Sequence, residues 1–149
     1  MSELRSRPRL RDGALNLADW LAEPQPATAG ALNVFAGTVR NTHDGHAVGS
    51  MTYHAHRALA EARLREIEAA AEARCGVSAL VAHAVGKLEI GEISVIVVIR
   101  GGHRAEGFEA CRWTIDAIKS AVPIWKEEHY LDGEARFLEG VPIQPVESL

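Results

Sequence analysis

The chain has 149 residues, 47% of them hydrophobic and 24% charged, the make-up of one soluble globular domain. A formal net charge of −4 excludes a surface-wide polyanion-binding field, so nucleic acid is not an expected partner and any anionic ligand must be met by a local cationic cluster. Cys75 and Cys111 lie far apart without C-x-x-C spacing, which sets aside a zinc ribbon or redox dithiol and fits a reducing, cytoplasmic compartment. The opening "MSELRSRPRLRDG" has no apolar segment behind it, and no window approaches the roughly 18 apolar residues of a spanning helix, so neither a signal peptide nor a membrane span is expected.

In chain order, a polar arm leads to "LNLADWLAEP", where Asn16 caps a short helix carrying Leu17, Trp20 and Leu21 before Pro24 stops it. After the connector "QPATAG", residues 31–41, "ALNVFAGTVRN", are rich in β-formers and interrupted by Gly37, the pattern of a strand with a bulge or a close backbone approach that ends at Arg40. Asp44-Gly45 is a two-residue hairpin signal, with "VGSMTYHAH" as the returning strand. From Ala58 to Arg74 the period turns helical: Ala60, Leu64, Ile67 and Ala71 share a face, Glu61 and Arg65 pair at i,i+4, and Gly76 stands where a C-terminal cap belongs. "SALVAHAV" and "ISVIVVIR" read as strands separated by "GKLEIGE", whose glycines mark turns; the second strand has no polar face and should be buried on both sides. Phe108, Cys111, Ile115, Ile118 and Val122 form an apolar helical stripe ended by Pro123, with Lys119 about 60° around from its middle. "PIWKEEHY" and "EARFLEG" are short strands around an Asp132-Gly133 turn, and the tail "VPIQPVESL" is too proline-rich to extend regular structure. The expected fold is α+β: a single domain over 1–149, with a core of about 13–139 and tails at 1–12 and 140–149. It holds a mixed or antiparallel sheet, two long helices in an α/β-hammerhead-like arrangement and a small hairpin subdomain.

Candidate chemistry falls at four places. Gly101 and Gly102 hand a buried strand to a helix that opens with His103 and Arg104, and its free N–H groups and positive dipole end make either an anion cradle or an ordinary turn. Arg40 closes a strand, as a solvated edge charge or as part of such a cradle. Lys119 stands in a last helical turn, where the dipole alone favours it. Lys126, however, follows beyond Pro123 and beside Trp125, in a segment able to fold back past the helix end. Two ammonium groups facing one pocket disfavour each other's charge, and partial burial pushes the same way, so one of them can serve as a base or nucleophile. His43 and His46 flank a turn and His54 and His56 share a strand face, but spacing fixes no third ligand and no metal is assigned. There is no G-x-S-x-G, P-loop or H-E-x-x-H fingerprint.

In order, "FAGTVRN" (35–41), "GKLEIGE" (86–92), "GGHRAEGFEACRWTIDAIK" (101–119) and "PIWKEE" (123–128) resemble the large, catalytic subunit of molybdopterin synthase. The resemblance implies a sulfurtransferase of molybdenum cofactor biosynthesis that needs no cofactor of its own. A small ubiquitin-like subunit inserts a tail ending in a thiocarboxylate, and the sulfur passes to cyclic pyranopterin monophosphate to build the dithiolene. It also implies a homodimer of large subunits within a heterotetramer. Carried over, the family's essential lysines fall on Lys119 and Lys126. Arg40, His103 and Arg104 hold the anionic groups, Thr38 and Val39 give backbone contacts, and Glu128 orients Lys126.

Three features depart from the family pattern. Glu127 stands where relatives commonly carry a basic residue, "YHAHRALAE" replaces an aromatic-rich approach to the first long helix, and the tail after Glu139 diverges. Two further readings remain open: a non-catalytic module that docks a ubiquitin-like tail, and a metal-binding protein using His43, His46, His54 and His56.

Overall fold

A computed structural model describes residues 3–138 and 142–149. The elements are α1 (Glu3–Ser6), β1 (Leu10–Asp12), α2 (Leu17–Trp20), β2 (Ala31–Thr38), β3 (Thr42–His43), β4 (His46–Ala55), α3 (Arg57–Cys75), β5 (Ser78–Glu89), β6 (Ile93–Gly101), α4 (Arg104–Ala121), β7 (Ile124–Tyr130) and β8 (Ala135–Phe137). A 3-10 turn at Val146–Ser148 follows, with Val146 buried. Glu139, Gly140 and Val141, at the end of the last strand reading and the start of the tail, lie outside the described residues. The strands form one sheet in the order β2-β6-β5-β4-β7-β8, with β1 on β5 and β3 on β4. Every pair is antiparallel except β1 with β5. The fold is thus α+β on a mixed sheet, and the β7–β8 hairpin continues that sheet at its end.

β5 and β6 are apolar on both faces because both are covered. On one face Val81, Val95, Val97 and Ile99 pack with Ala60, Leu64, Ile67 and Ala71 of α3 and with Ala110 and Ile118 of α4. On the other, Leu80, Ala82, Ile96 and Val98 meet Leu4, Leu15 and Trp20 from the N-terminal segment. The Asp44-Gly45 turn has φ of 47° and 79°, the double positive of a type I′ hairpin. The β2 register shifts between Gly37 and Thr38, so the interrupting glycine marks a bulge.

Three expectations are corrected. First, the polar arm is docked: Arg9 is 1% exposed and gives Nε and Nη2 to the Glu68 carboxylate at 2.6 and 3.1 Å, while Glu68 also accepts from Val81 N at 2.8 Å. The Glu61 carboxylate takes the backbone N–H groups of Arg9 and Leu10, both at 2.9 Å, and so starts β1. Second, Gly86 is not at a turn. It lies inside β5 with φ 94°, where the strand leaves β6 and β1 and begins to pair with β4; the turn is at Gly91.

Third, the buried face of α4 is Gly107, Ala110, Thr114, Ile115, Ala117, Ile118 and Ala121, while Phe108 is 67% exposed. Small residues face the sheet because the helix lies close to it. A Cβ on Gly107 would collide with Asn33 Oδ1 and approach Asn33 Cγ to 3.2 Å. That Oδ1 is buried without a hydrogen bond. Gly107→Ala should therefore destabilise the fold by roughly 1–3 kcal/mol in urea unfolding. Asn33→Ala in the same chain should restore most of the loss, and no recovery in the double variant would refute the contact.

Candidate active site

α4 ends at Ala121, capped by Val122, whose N–H bonds to Ile118 O at 3.2 Å, because Pro123 cannot continue the helix. The chain then reverses: Pro123 O accepts from His56 N at 3.1 Å, and β7 runs antiparallel to β4 with Lys126 opposite Tyr53. The reversal brings Lys119 and Lys126 to one cavity of about 60 Å³, walled by Tyr53, His83, Ile118, Val122 and Ile124. Lys126 and Tyr53 also line an adjoining cavity of about 100 Å³, together with Thr38, Val39, Arg40, Thr42, His43 and Glu128. Lys126 therefore stands between the two spaces.

The electrostatics follow from that placement. Partial desolvation and then the positive charge of the neighbouring Lys126 ammonium lower Lys119 from 10.5 to about 8. Lys119 nevertheless keeps exposed surface at the cavity mouth, so the amine meets water and the charge beside it is the firmer of the two causes. Lys126 has a compensating contact, with Nζ 6.0 Å from the centre of the Tyr53 ring. Burial raises the Tyr53 phenol, which keeps it neutral. Burial lowers His83 to about 4, against one backbone hydrogen bond, and both lysines push it the same way.

In the second cavity the backbone is fixed before the side chains act. Val39 is buried, gives its N–H to Glu92 O at 3.0 Å and accepts from Gly91 N at 2.8 Å, which holds Thr38 and Arg40 on either side of it. Glu128 is 2% exposed; the Tyr130 hydroxyl donates to it at 2.5 Å and His43 Nδ1 lies 3.5 Å away. Its carboxylate thus engages Tyr130 and His43 in the cavity it shares with Lys126.

The structure brings Thr38, Val39, Arg40, Lys119, Lys126 and Glu128 to these two adjoining spaces. It does not bring Glu127, His103 or Arg104 there. Strand alternation puts Glu127 on the opposite face of β7 from Lys126, where it pairs with His54 at 3.0 Å. His103 caps α4 in a reciprocal arrangement with Glu106, and Arg104 is exposed beside it. Fifteen residues of helix separate Arg104 from Lys119, about 22 Å. The other histidines have local partners: His54 stacks on Trp125, His46 meets the Tyr130 ring edge-on and His56 caps α3. Tyr53 and His83 line the cavities without having been singled out from the sequence, and His43, weighed there only as a metal ligand, lines the second cavity. For His83 the signal was present, an ionisable ring inside the apolar run "SALVAHAV".

The model of the MoaE protein family matches residues 10–121. The chain belongs to the MoaE family. It is 42% identical over 123 residues to the molybdopterin synthase catalytic subunit of Oryza sativa subsp. indica, a match that covers 82% of this chain and spans 64% of the rice protein's length. The protein of the same name from Pyrococcus abyssi is 36% identical over 132 residues, 88% of each chain. Molybdopterin synthase from Staphylococcus aureus shares the fold at a TM-score of 0.81 and 26% identity, over 88% of this chain and 96% of that one. Lys119 lies within the span matched by the MoaE family model, whereas Lys126 and Glu128 lie beyond it.

The buried imidazole makes stability depend on acidity. His83 titrates near 6.5 unfolded and about 4 folded, so its neutral form favours the fold fully above pH 6.5. That contribution is lost as pH falls toward 4, by roughly 3 kcal/mol. His83→Phe should flatten this part of the pH–stability curve in chemical denaturation, and an unchanged slope would contradict the assignment.

Proposed function

We propose that this chain is the catalytic subunit of a molybdopterin synthase. It transfers sulfur from the C-terminal thiocarboxylate of a small ubiquitin-like subunit to cyclic pyranopterin monophosphate, in the cytoplasm, and residues 1–149 act as one domain of that enzyme. The observation that carries this reading is the pair of amines in one small cavity, with Lys119 lowered to about 8, beside a second cavity bearing Arg40. Family membership and the rice and Pyrococcus relatives support the same activity.

In this mechanism Lys119 is the base or transient nucleophile at the reacting carbon, because an amine with a pKa of about 8 is roughly one-fifth neutral near pH 7.4, against about a thousandth for an ordinary lysine. Lys126 and Arg40 hold the phosphate and the thiocarboxylate from the shared wall. Thr38 and Val39 offer backbone edges, and the buried Glu128 fixes the cavity floor through Tyr130 and His43.

His103 and Arg104 enter from a second copy. Their end of α4 lies against β2, where Gly107 approaches Asn33 and Ala31. β2 is the sheet edge and exposes Leu32, Val34 and Phe35, with Phe108 exposed on the helix beside it. A two-fold dimer across this edge would cover apolar surface and carry the His103–Arg104 pair toward the partner's lysines. The small subunit at each end completes a heterotetramer.

The deciding experiment mixes the chain with a thiocarboxylated small subunit and cyclic pyranopterin monophosphate and measures the dithiolene product. No product from the folded wild type would reject the function. Lys119→Ala should cut turnover at least about a hundredfold while the small subunit still binds. Wild-type turnover should rise with pH through about 8, as Lys119 loses its proton, and a rate independent of pH from 7 to 9 would remove Lys119 from the proton-transfer step.

For the dimer, mixing inactive Lys119→Ala chains with inactive Arg104→Ala chains should restore roughly a quarter of wild-type activity, since each mixed dimer holds one intact composite site. Absence of any restoration would place Arg104 outside the partner's site.

A further inference from the structure

His83 is a buried, ionisable group that the mechanism above does not use. It is 4% exposed on β5 and lines the lysine cavity. Its position is fixed three ways: the backbone N–H bonds to Arg9 O at 2.9 Å, the ring meets Tyr53 edge-on at 5.2 Å, and Nδ1 lies 2.7 Å from Ala84 O. A carbonyl only accepts, so Nδ1 carries the proton and a neutral ring must present Nε2 as a lone pair. Nε2 has no hydrogen-bond partner among the described residues. With Nδ1 engaged by Ala84 O and the residue lining the lysine cavity, Nε2 is the polar atom His83 has left to offer there.

The rest of the wall gives this acceptor its meaning. Lys119 and Lys126 supply donors, Ile118, Val122 and Ile124 supply neither donor nor acceptor, and the Tyr53 phenol is held neutral by burial. A purely anionic ligand would satisfy the amines and leave Nε2 unpaired. We propose that His83 is a specificity-determining substrate contact: Nε2 accepts a hydrogen bond from an N–H or O–H of the ligand whose anionic group the neighbouring cations hold.

This rests on the pterin reading of the site and narrows it, since the part of the pterin that enters the small cavity must carry a donor. The ring remains an acceptor across the working range because it is lowered to about 4. The titratable groups facing it are Lys119 from α4, Lys126 from β7 and Tyr53 from β4, and its register neighbours on β1 and β6 are Leu10 and Val95. Burial holds His83 well below Lys119 in basicity, so an acceptor role suits it better than a proton relay.

The test is direct binding of cyclic pyranopterin monophosphate by calorimetry, with inorganic phosphate as the anion-only probe. His83→Phe keeps a ring but no acceptor and should weaken pterin binding about tenfold. His83→Gln, whose amide oxygen reaches the position of Nε2, should stay within about threefold of wild type, and phosphate binding should be unchanged in both. Equal losses in Phe and Gln, or a parallel loss of phosphate, would overturn the contact.

If the Phe variant does not fold by circular dichroism, the wild-type chain decides. Its His83 Nε2 resonance in nitrogen-15 spectra should be that of an unprotonated nitrogen and should move on pterin addition; a protonated Nε2, or no movement at saturation, overturns the proposal. Wild type that binds pterin through Nε2 yet makes no dithiolene would sink the enzyme reading and leave the contact standing. Wild type that binds no pterin would sink the contact.

Discussion

The closeness of α4 to the sheet is the constraint on which the lysine cavity depends. Gly107, Ala110, Thr114, Ala117 and Ala121 make most of that helix's inner face small, with Ile115 and Ile118 as its larger members, so its backbone settles close against β2 and β6. Lys119, two residues before the last of these, is consequently held at the rim of the core rather than in open solvent. Pro123 then forces the reversal that delivers Lys126 from the other side. A bulkier helix face would lift Lys119 away and leave two ordinary surface amines.

The molecule places charge in two opposite ways. Arg9 and Glu68 are both buried, but their charges match and the remaining carboxylate capacity is taken by Val81 N, so the desolvation of each ion is offset by a partner. Lys119 and Lys126 have the same sign and no carboxylate bonded to either among the described residues. The conflict is tolerated because Lys119 retains solvent at the mouth and Lys126 faces the negative face of the Tyr53 ring. The first arrangement fixes the docked arm, and the second keeps an amine reactive.

Much of the fold could be read from periodicity, and the failures have physical causes. α3 was legible because its buried positions, Ala60, Leu64, Ile67 and Ala71, are spaced as a helix face and Gly76 caps it with φ 67°. The stripe on α4 was rotated because a count of large apolar residues favours Phe108 and Cys111, whereas a closely packed helix buries its smallest side chains. The arm could not be assigned locally, since the partner of Arg9 is 59 residues away. Within the site, the convergence of Lys119, Lys126 and Arg40 followed from where strands and a helix end. The distance of His103 and Arg104 from the lysines also follows from one helix, since they open the element that Lys119 closes.

Gly86 gives the sheet a property that neither half has alone. Before it, β5 belongs with β6, the strand on which α4 rests; after it, β5 belongs with β4, which carries β7. One amine is thus mounted on each side of a crossing at which β5 changes partners through a glycine at φ 94°. The spacing of the two amines is inherited in part from a strand that bears neither of them, and a side chain at position 86, strained at that φ, would disturb it without touching a cavity residue.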